Sequence, residues 1–293
     1  MMQYRREIDG IRALAVLPVI LFHAGFSLFS GGYVGVDIFF VISGYLITGI
    51  VMSEIARGTF SIVNFYERRI RRILPALFLV LAVCTPVAYW ILIPSDFKEF
   101  CQSLIAVATF SSNVFFWSQS GYFHGAAELK PLLHTWSLAV EEQFYVFFPV
   151  LLLVMWRWRK GWIVHVLLLI SVCSLALAEW GALNKPIATF FLLPTRAWEL
   201  LLGSLTAFYL SDETRRQPTL AQNNILAGIG VLAVAYAVFC FDAKTTFPGL
   251  HALIPTLGTA LMIIGARPDT WTGKLLGGLN SEVQHHWLIF NEW

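Results

Sequence analysis

The chain has 293 residues, of which 57% are hydrophobic and 13% charged, and its mean hydropathy is +0.68. Soluble domains carry roughly 45–50% apolar and about 25% charged residues, so these values exclude a surface that faces water throughout and leave lipid as the main solvent. A net charge of +2 is too small for nucleic-acid binding. Cys84, Cys101, Cys173 and Cys240 are scattered singly in or beside apolar stretches, with neither a metal-ligand spacing nor a pairing pattern. They read as small residues within membrane segments.

Apolar runs of roughly 20 residues cross a bilayer. They predict eight spans, at about 11–28, 34–52, 74–93, 138–156, 163–180, 191–210, 225–241 and 252–266. The stretch 104–117 is shorter and holds Ser111, Ser112 and Asn113, which suits a thin span or a re-entrant segment lined by protein. If it does not cross, Arg5 and Arg6, the Arg57 to Arg72 cluster, Arg157/Arg159/Lys160, Arg215/Arg216 and Arg267/Lys274 share one side. Lys98, Lys130, Lys185 and Lys244 then remain opposite. The positive-inside rule accordingly makes the N-terminus cytoplasmic and 104–117 re-entrant from the outer face. The expectation is an all-α, polytopic integral membrane bundle with no repeat and no soluble domain. Its first helix is retained, because the apolar run is long for a signal peptide and no cleavage site follows.

Ionisable groups inside spans are costly and mark functional candidates. Arg12 and His23 lie eleven residues apart, so they return to nearly one helix face about 16 Å apart along the axis. Taken alone, each has a plainer reading: Arg12 as a snorkelling anchor and His23 as a histidine satisfied by a neighbouring helix. Asp37 opens the second span across a short turn from His23. It is placed to cap that helix or to orient the imidazole. Ser43, further along, is suited to bonding across a helix interface.

The segment Glu67-Arg68-Arg69-Ile70-Arg71-Arg72 is a topogenic or anionic-lipid signal on the plain reading. On the sharper one, Arg69 and Arg72 at i, i+3 on a short helix present two guanidinium forks to phosphate at the cytoplasmic surface. Further on, His134, Ser137, Glu141 and Tyr145 fall at i, i+3, i+7 and i+11, one polar stripe beside Trp136 in apolar surroundings. Exposure at the helix entrance accounts for Glu142 but poorly for the full stripe. Arg196 and Glu199 at i, i+3 neutralise each other, with Gly203 on the same face, as a structural or a catalytic pair.

These pieces, in order, resemble the membrane-bound acyltransferase family 3, the O-acetyltransferases of bacterial cell-surface glycans. The match covers about residues 4–267. It includes Glu7-Ile-Asp-Gly-Ile-Arg12, ten residues between Arg12 and His23, the Gly35 to Gly44 segment, Arg69-x-x-Arg72-Ile-x-Pro75, His134-Thr-Trp-Ser-Leu with Glu141 and Gln143-Phe-Tyr145, and Arg196-x-x-Glu199. The resemblance implies transfer of an acetyl group from cytoplasmic acetyl-CoA, a donor substrate rather than a tightly bound cofactor, to a hydroxyl of an extracytoplasmic glycan. It implies His23 and Glu141 as catalytic residues, Arg12, Arg69 and Arg72 as donor-binding residues, and a bacterial inner-membrane location. Asp37, Ser43, His134, Trp136, Ser137, Tyr145, Arg196 and Glu199 are left as substrate or structural support.

Beyond 267 the family continues with further spans. Residues 268–293 do not align, so the reading is an incomplete family domain over 1–267 and an unmatched tail. His285 and His286 in that tail are poor evidence for a metal site, and no metal is expected. A transporter lined by the same charges is the rival reading, although the paired, interrupted half-helices it calls for are not evident. An inactive truncated remnant is the third.

Overall fold

The computed structural model describes residues 5–120, 130–212, 214 and 216–278. His285 and His286 lie outside the described residues. Among those described, every regular element is helical: α1 Arg6–His23, α2 Gly35–Ala56, α3 Ile62–Ile91, α4 Pro94–Ala108, α5 Ser112–Ser118 and α6 Thr135–Arg159, followed by α7 Ile163–Asn184, α8 Pro186–Phe191, α9 Leu193–Ser211, α10 Leu220–Cys240, α11 Leu253–Gly265 and α12 Trp271–Gly278. Four helical stretches are long and apolar enough to cross a membrane: Gly32–Ala56, Ile62–Ile91, Thr135–Asn184 and Leu220–Cys240. The third holds α6 and α7 with the turn between them. The other expected spans are less simple, since α1 and α9 carry ionisable residues and α11 has only 13 residues.

Several boundaries differ from the sequence reading. The run 11–28 is helical only to His23, because the chain turns at Gly25 with φ 82°, a conformation glycine adopts freely. His23 is therefore the last residue of α1. The stretch 104–117 is two helices, α4 and α5, broken at Phe110 with φ 52°. The Gln143 side chain holds that break by donating to the Phe110 carbonyl at 3.0 Å. A further break at Leu192, before Pro194, separates α8 from α9. The arginine segment is not a short surface helix. It belongs to the 30-residue α3, which continues through Pro75 and Pro86.

The bundle is organised around α2, which packs lengthwise on α9; α9 packs in turn on α7, α10 on α11, and α1 against α2 and α12. Phe40, Phe65, Trp136, Phe144 and Phe148 build one core, and Ile11, Ile38, Val234, Met262 and Ile263 a second. Leu79, Val83 and Trp90 of α3 and Leu168 and Leu169 of α7 point outward, as an apolar solvent allows. The cysteines are unpaired; Cys173 and Cys240 are exposed and Cys84 and Cys101 half-buried. The described start of the tail is tied down, since Leu276 of α12 joins the second core.

Gly44 and Gly203 permit the α2–α9 approach. A Cβ on Gly44 would meet the Leu200 carbonyl, and one on Gly203 the Val41 carbonyl. Both obstacles are backbone atoms that no rotamer change removes. Gly203→Val is therefore expected to lower stability by about 1–3 kcal/mol or more through overpacking, read as a lower thermal midpoint in detergent. A substitution at the open Gly161 position, where nothing lies within 4 Å, is expected to leave it unchanged.

Candidate active site

Two helices run antiparallel through the site. His23 ends α1 and His134 precedes the first residue of α6, and their rings meet edge to face with centroids 4.7 Å apart. His23 Nδ1 lies 2.8 Å from the Val19 carbonyl oxygen. A carbonyl only accepts, so Nδ1 carries the hydrogen and the neutral ring keeps its lone pair on Nε2. Partial burial, and then the neighbouring His23 imidazole, lower the His134 pKa.

Eleven residues from each histidine the chemistry changes. Arg12 lies that far back along α1 and Tyr145 that far forward along α6, each about 16 Å away at 1.5 Å per residue. Between them Arg69 places its guanidinium 4.5 Å from the centre of the Tyr145 ring. Arg72 shares the electrostatic surroundings of Arg12, Arg69, Tyr145 and Glu141. The four arginines of α3 thus divide by face. Arg68 pairs with Glu54 at 2.7 Å and Arg71 with Glu67 at 2.8 Å. Among the described residues Arg69 and Arg72 form no salt bridge, whereas Arg12 holds Asp9 at 3.6 Å.

The polar stripe of α6 spans the distance between these clusters. Ser137 Oγ donates to the His134 carbonyl at 3.3 Å, and Tyr145 donates to Glu141 Oε2 at 3.1 Å. Ser43 of α2 stands beside both Glu141 and Tyr145. Glu141 stands seven residues along α6 from His134, about 10 Å on, so it belongs with the arginines and not with His23. Glu142 departs from the sequence reading: it is only 9% exposed, and its Oε1 lacks a hydrogen-bond partner. Arg69, Glu141 and Arg72 are its charged neighbours. Its position one residue after Glu141 turns it inward beside them, which helical spacing on one stripe could not reveal.

Asp37 is the second correction. It neither caps α2 nor faces His23; its Oδ1 lies 3.1 Å from Arg196 Nη1. Glu199 Oε1 approaches the same nitrogen at 3.0 Å, so the i, i+3 pair read from the sequence is a triad. Asp37 and Glu199 are fully buried and Arg196 is 1% exposed. Trp136 is one of the rings enclosing this guanidinium. The sequence reading passed over Asn113 and Gln143 as site supports. Asn113 Nδ2 donates to the Phe191 carbonyl at 3.2 Å, and Gln143 Nε2 donates to Asn113 Oδ1 at 2.8 Å. The two amides join α5 and α8 to the third turn of α6. No group of three His, Cys, Asp or Glu side chains suited to a metal occurs among the described residues.

An imidazole pair and an arginine cluster about 16 Å apart are thus joined by hydroxyls and carboxylates along one path through the bundle. Residues 5–279 match the family model described as an acyltransferase domain, and the chain belongs to this acyltransferase 3 family. An uncharacterized protein of Haemophilus influenzae is 37% identical over 235 residues, which are 78% of this chain and 96% of that protein. The peptidoglycan O-acetyltransferase OatA of Listeria monocytogenes is 35% identical over 292 residues, covering 93% of this chain and 46% of the relative. The chain thus spans about half the length of OatA. No solved structure matches significantly.

The histidine pair makes a titration prediction. A free histidine titrates near 6.5, and folded His134 releases its proton at lower pH. Between the folded value and 6.5 the unfolded chain binds the additional proton, so stability falls as pH drops through that window and is level above it. NMR titration of labelled histidines is expected to place His134 below 6.5. His23→Ala is expected to move it back only part of the way, because burial is the larger cause.

Proposed function

We propose that this protein transfers an acetyl group from acetyl-CoA to a hydroxyl of a cell-surface glycan, with the donor's phosphates held by Arg12, Arg69 and Arg72 and the chemistry at His23. The observation that carries this reading is the matched eleven-residue spacing on α1 and α6, which separates the arginines from the imidazoles by about 16 Å. The pantetheine arm, with two amides and short spacers, extends about as far as four or five residues of chain, ~15 Å. A phosphate group gripped by the arginines would therefore deliver its thioester to His23. Ser43, Tyr145 and Glu141 offer polar partners to the arm's amides along the way.

At the reacting end, His23 Nε2 takes the proton of the sugar hydroxyl as its oxygen attacks the thioester carbonyl carbon. The carbon–sulfur bond breaks, and the imidazolium returns the proton to the departing CoA thiolate. General base catalysis of this kind contributes typically 10²–10⁴-fold. The hydrogen bond from Nδ1 to Val19 fixes the tautomer that makes this possible. Loop charge supports a cytoplasmic N-terminus, with the arginine cluster toward acetyl-CoA and the histidines toward the outside, and the family likeness supports a bacterial inner-membrane location. The printed name of the Listeria relative makes peptidoglycan one candidate acceptor for this chain as well.

Donor binding, read by equilibrium titration of the purified protein with acetyl-CoA, is expected to weaken in Arg69→Ala/Arg72→Ala. Lysine at both positions is expected to restore it only in part, since an ammonium lacks the bidentate fork. Unchanged affinity in the double-alanine protein would return the pair to an orientation signal.

The chemical step is tested by following glycan acetylation by mass spectrometry. His23→Ala is expected to reduce it by roughly 10²–10⁴-fold, with His23→Gln as inactive and acetyl-CoA binding retained in both. An active glutamine variant would remove His23 from the role of base. Sidedness is read by labelling single cysteines at Asp96 and Ser120, which are expected to react from the same, outer face.

A further inference from the structure

We infer that Arg196, which the proposed chemistry does not use, is the positioning residue that sets the His23–His134 pair. This inference rests on the reading that the two imidazoles form the reacting end. Arg196 is buried, and both carboxylates of its triad meet the single nitrogen Nη1. Among the described residues neither Nε nor Nη1 makes a hydrogen bond, and the carboxylate oxygens of Asp37 and Glu199 make none either, so the triad is one of charge proximity alone. A bidentate pairing would use more of the fork, so ion pairing alone does not account for where the guanidinium sits. What surrounds it is aromatic. The Cζ atom lies 5.4 Å from the Phe40 ring centre, 5.6 Å from Trp136, 5.6 Å from Phe247 and 5.8 Å from Phe190. The planar cation is thus held as a hub among rings from α2, α6, α8 and the segment before α11.

Two routes lead from that hub to the imidazoles, one along the backbone of α6 and one through ring contacts. Trp136 lies two residues from His134 in the entry turn of α6, whose Thr135 carbonyl is also held by the Ser112 hydroxyl at 3.0 Å. On the other side, Phe247 packs on Tyr33 with centroids 4.9 Å apart, Tyr33 on Phe22 at 5.7 Å, and Phe22 on His23 at 5.0 Å. One guanidinium therefore fixes both members of the pair, one through the start of α6 and the other through the end of α1. Asp37 and Glu199 supply the anionic seat that keeps it there.

Removing the charge would strand two buried carboxylates, so the test uses Arg196→Lys, which keeps the charge and loses the plane, and Trp136→Phe, which leaves the triad intact. Both are made in the full chain. The first readout is the rate at which diethyl pyrocarbonate modifies each histidine, followed by mass spectrometry, with His165 in the first turn of α7 as control. The second separates kcat for acetylation from the affinity for acetyl-CoA.

The expected result is altered modification rates at His23 and His134 in Arg196→Lys and at His134 in Trp136→Phe, with His165 unchanged. With it, kcat falls roughly 10- to 100-fold, the size of loss when a reacting group is misplaced by about an ångström, while acetyl-CoA affinity holds. Unchanged rates at both site histidines would overturn the inference, and so would a shift of all three histidines together, which would mark general loosening. If the unaltered protein transfers no acetyl group, the functional reading fails, while the modification rates still decide whether Arg196 positions the pair.

Discussion

The close approach of α2 and α9 is the constraint on which the rest depends. In lipid there is no water to accept a stray charge, so the carboxylates of Asp37 and Glu199 must find a cation within the bundle. They find Arg196 because Gly44 and Gly203 let the two backbones come into contact. Once those helices are locked, α7 and α6 are placed against α9 and α2, and the first turn of α6 acquires its position beside the end of α1. A buried triad of this kind is weak evidence for stability, since well-packed apolar groups often do as well. Its aromatic enclosure connects it to the site instead.

The site itself follows from a simple antiparallel arrangement. One helix ends on a histidine and the other begins on one, so everything at equal distance back from that meeting point falls level. Arg12 and Tyr145 are level for this reason, and Arg69 reaches the same place from α3. The result is a separation along the helices, with guanidinium groups in one region and imidazoles in the other. Hydroxyls and carboxylates join the two, because a polar stripe in apolar surroundings must bond to itself or to a neighbouring helix.

The division of labour within the arginine segment shows how fold decides between readings that sequence leaves equal. Arg68, Arg69, Arg71 and Arg72 have the same chemistry. A continuous helix sends Arg68 and Arg71 to Glu54 and Glu67 and turns Arg69 and Arg72 toward Tyr145 and Glu141. One face of the helix thus carries arginines neutralised by carboxylates, and the other carries arginines beside an aromatic ring and the α6 stripe.

Composition and spacing determined the all-α membrane class, the pairing of Arg12 with His23 on one face, the α6 stripe and the Arg196–Glu199 contact, because each depends only on hydropathy and helical period within one segment. The break at Phe110, the stop after His23 and the division of 186–211 at Leu192 were not legible in the same way, since side chains from other helices or local turn geometry interrupt apolar runs that look continuous. Asp37 and Glu142 were misread for a related reason. A carboxylate near a helix end is plausible as a cap or as a surface group until its neighbours are known. Only the tertiary structure brought α9 to Asp37, turned Glu142 inward and set His23 against His134, because the partner of a buried charge or ring is chosen by helices distant in sequence and adjacent in space.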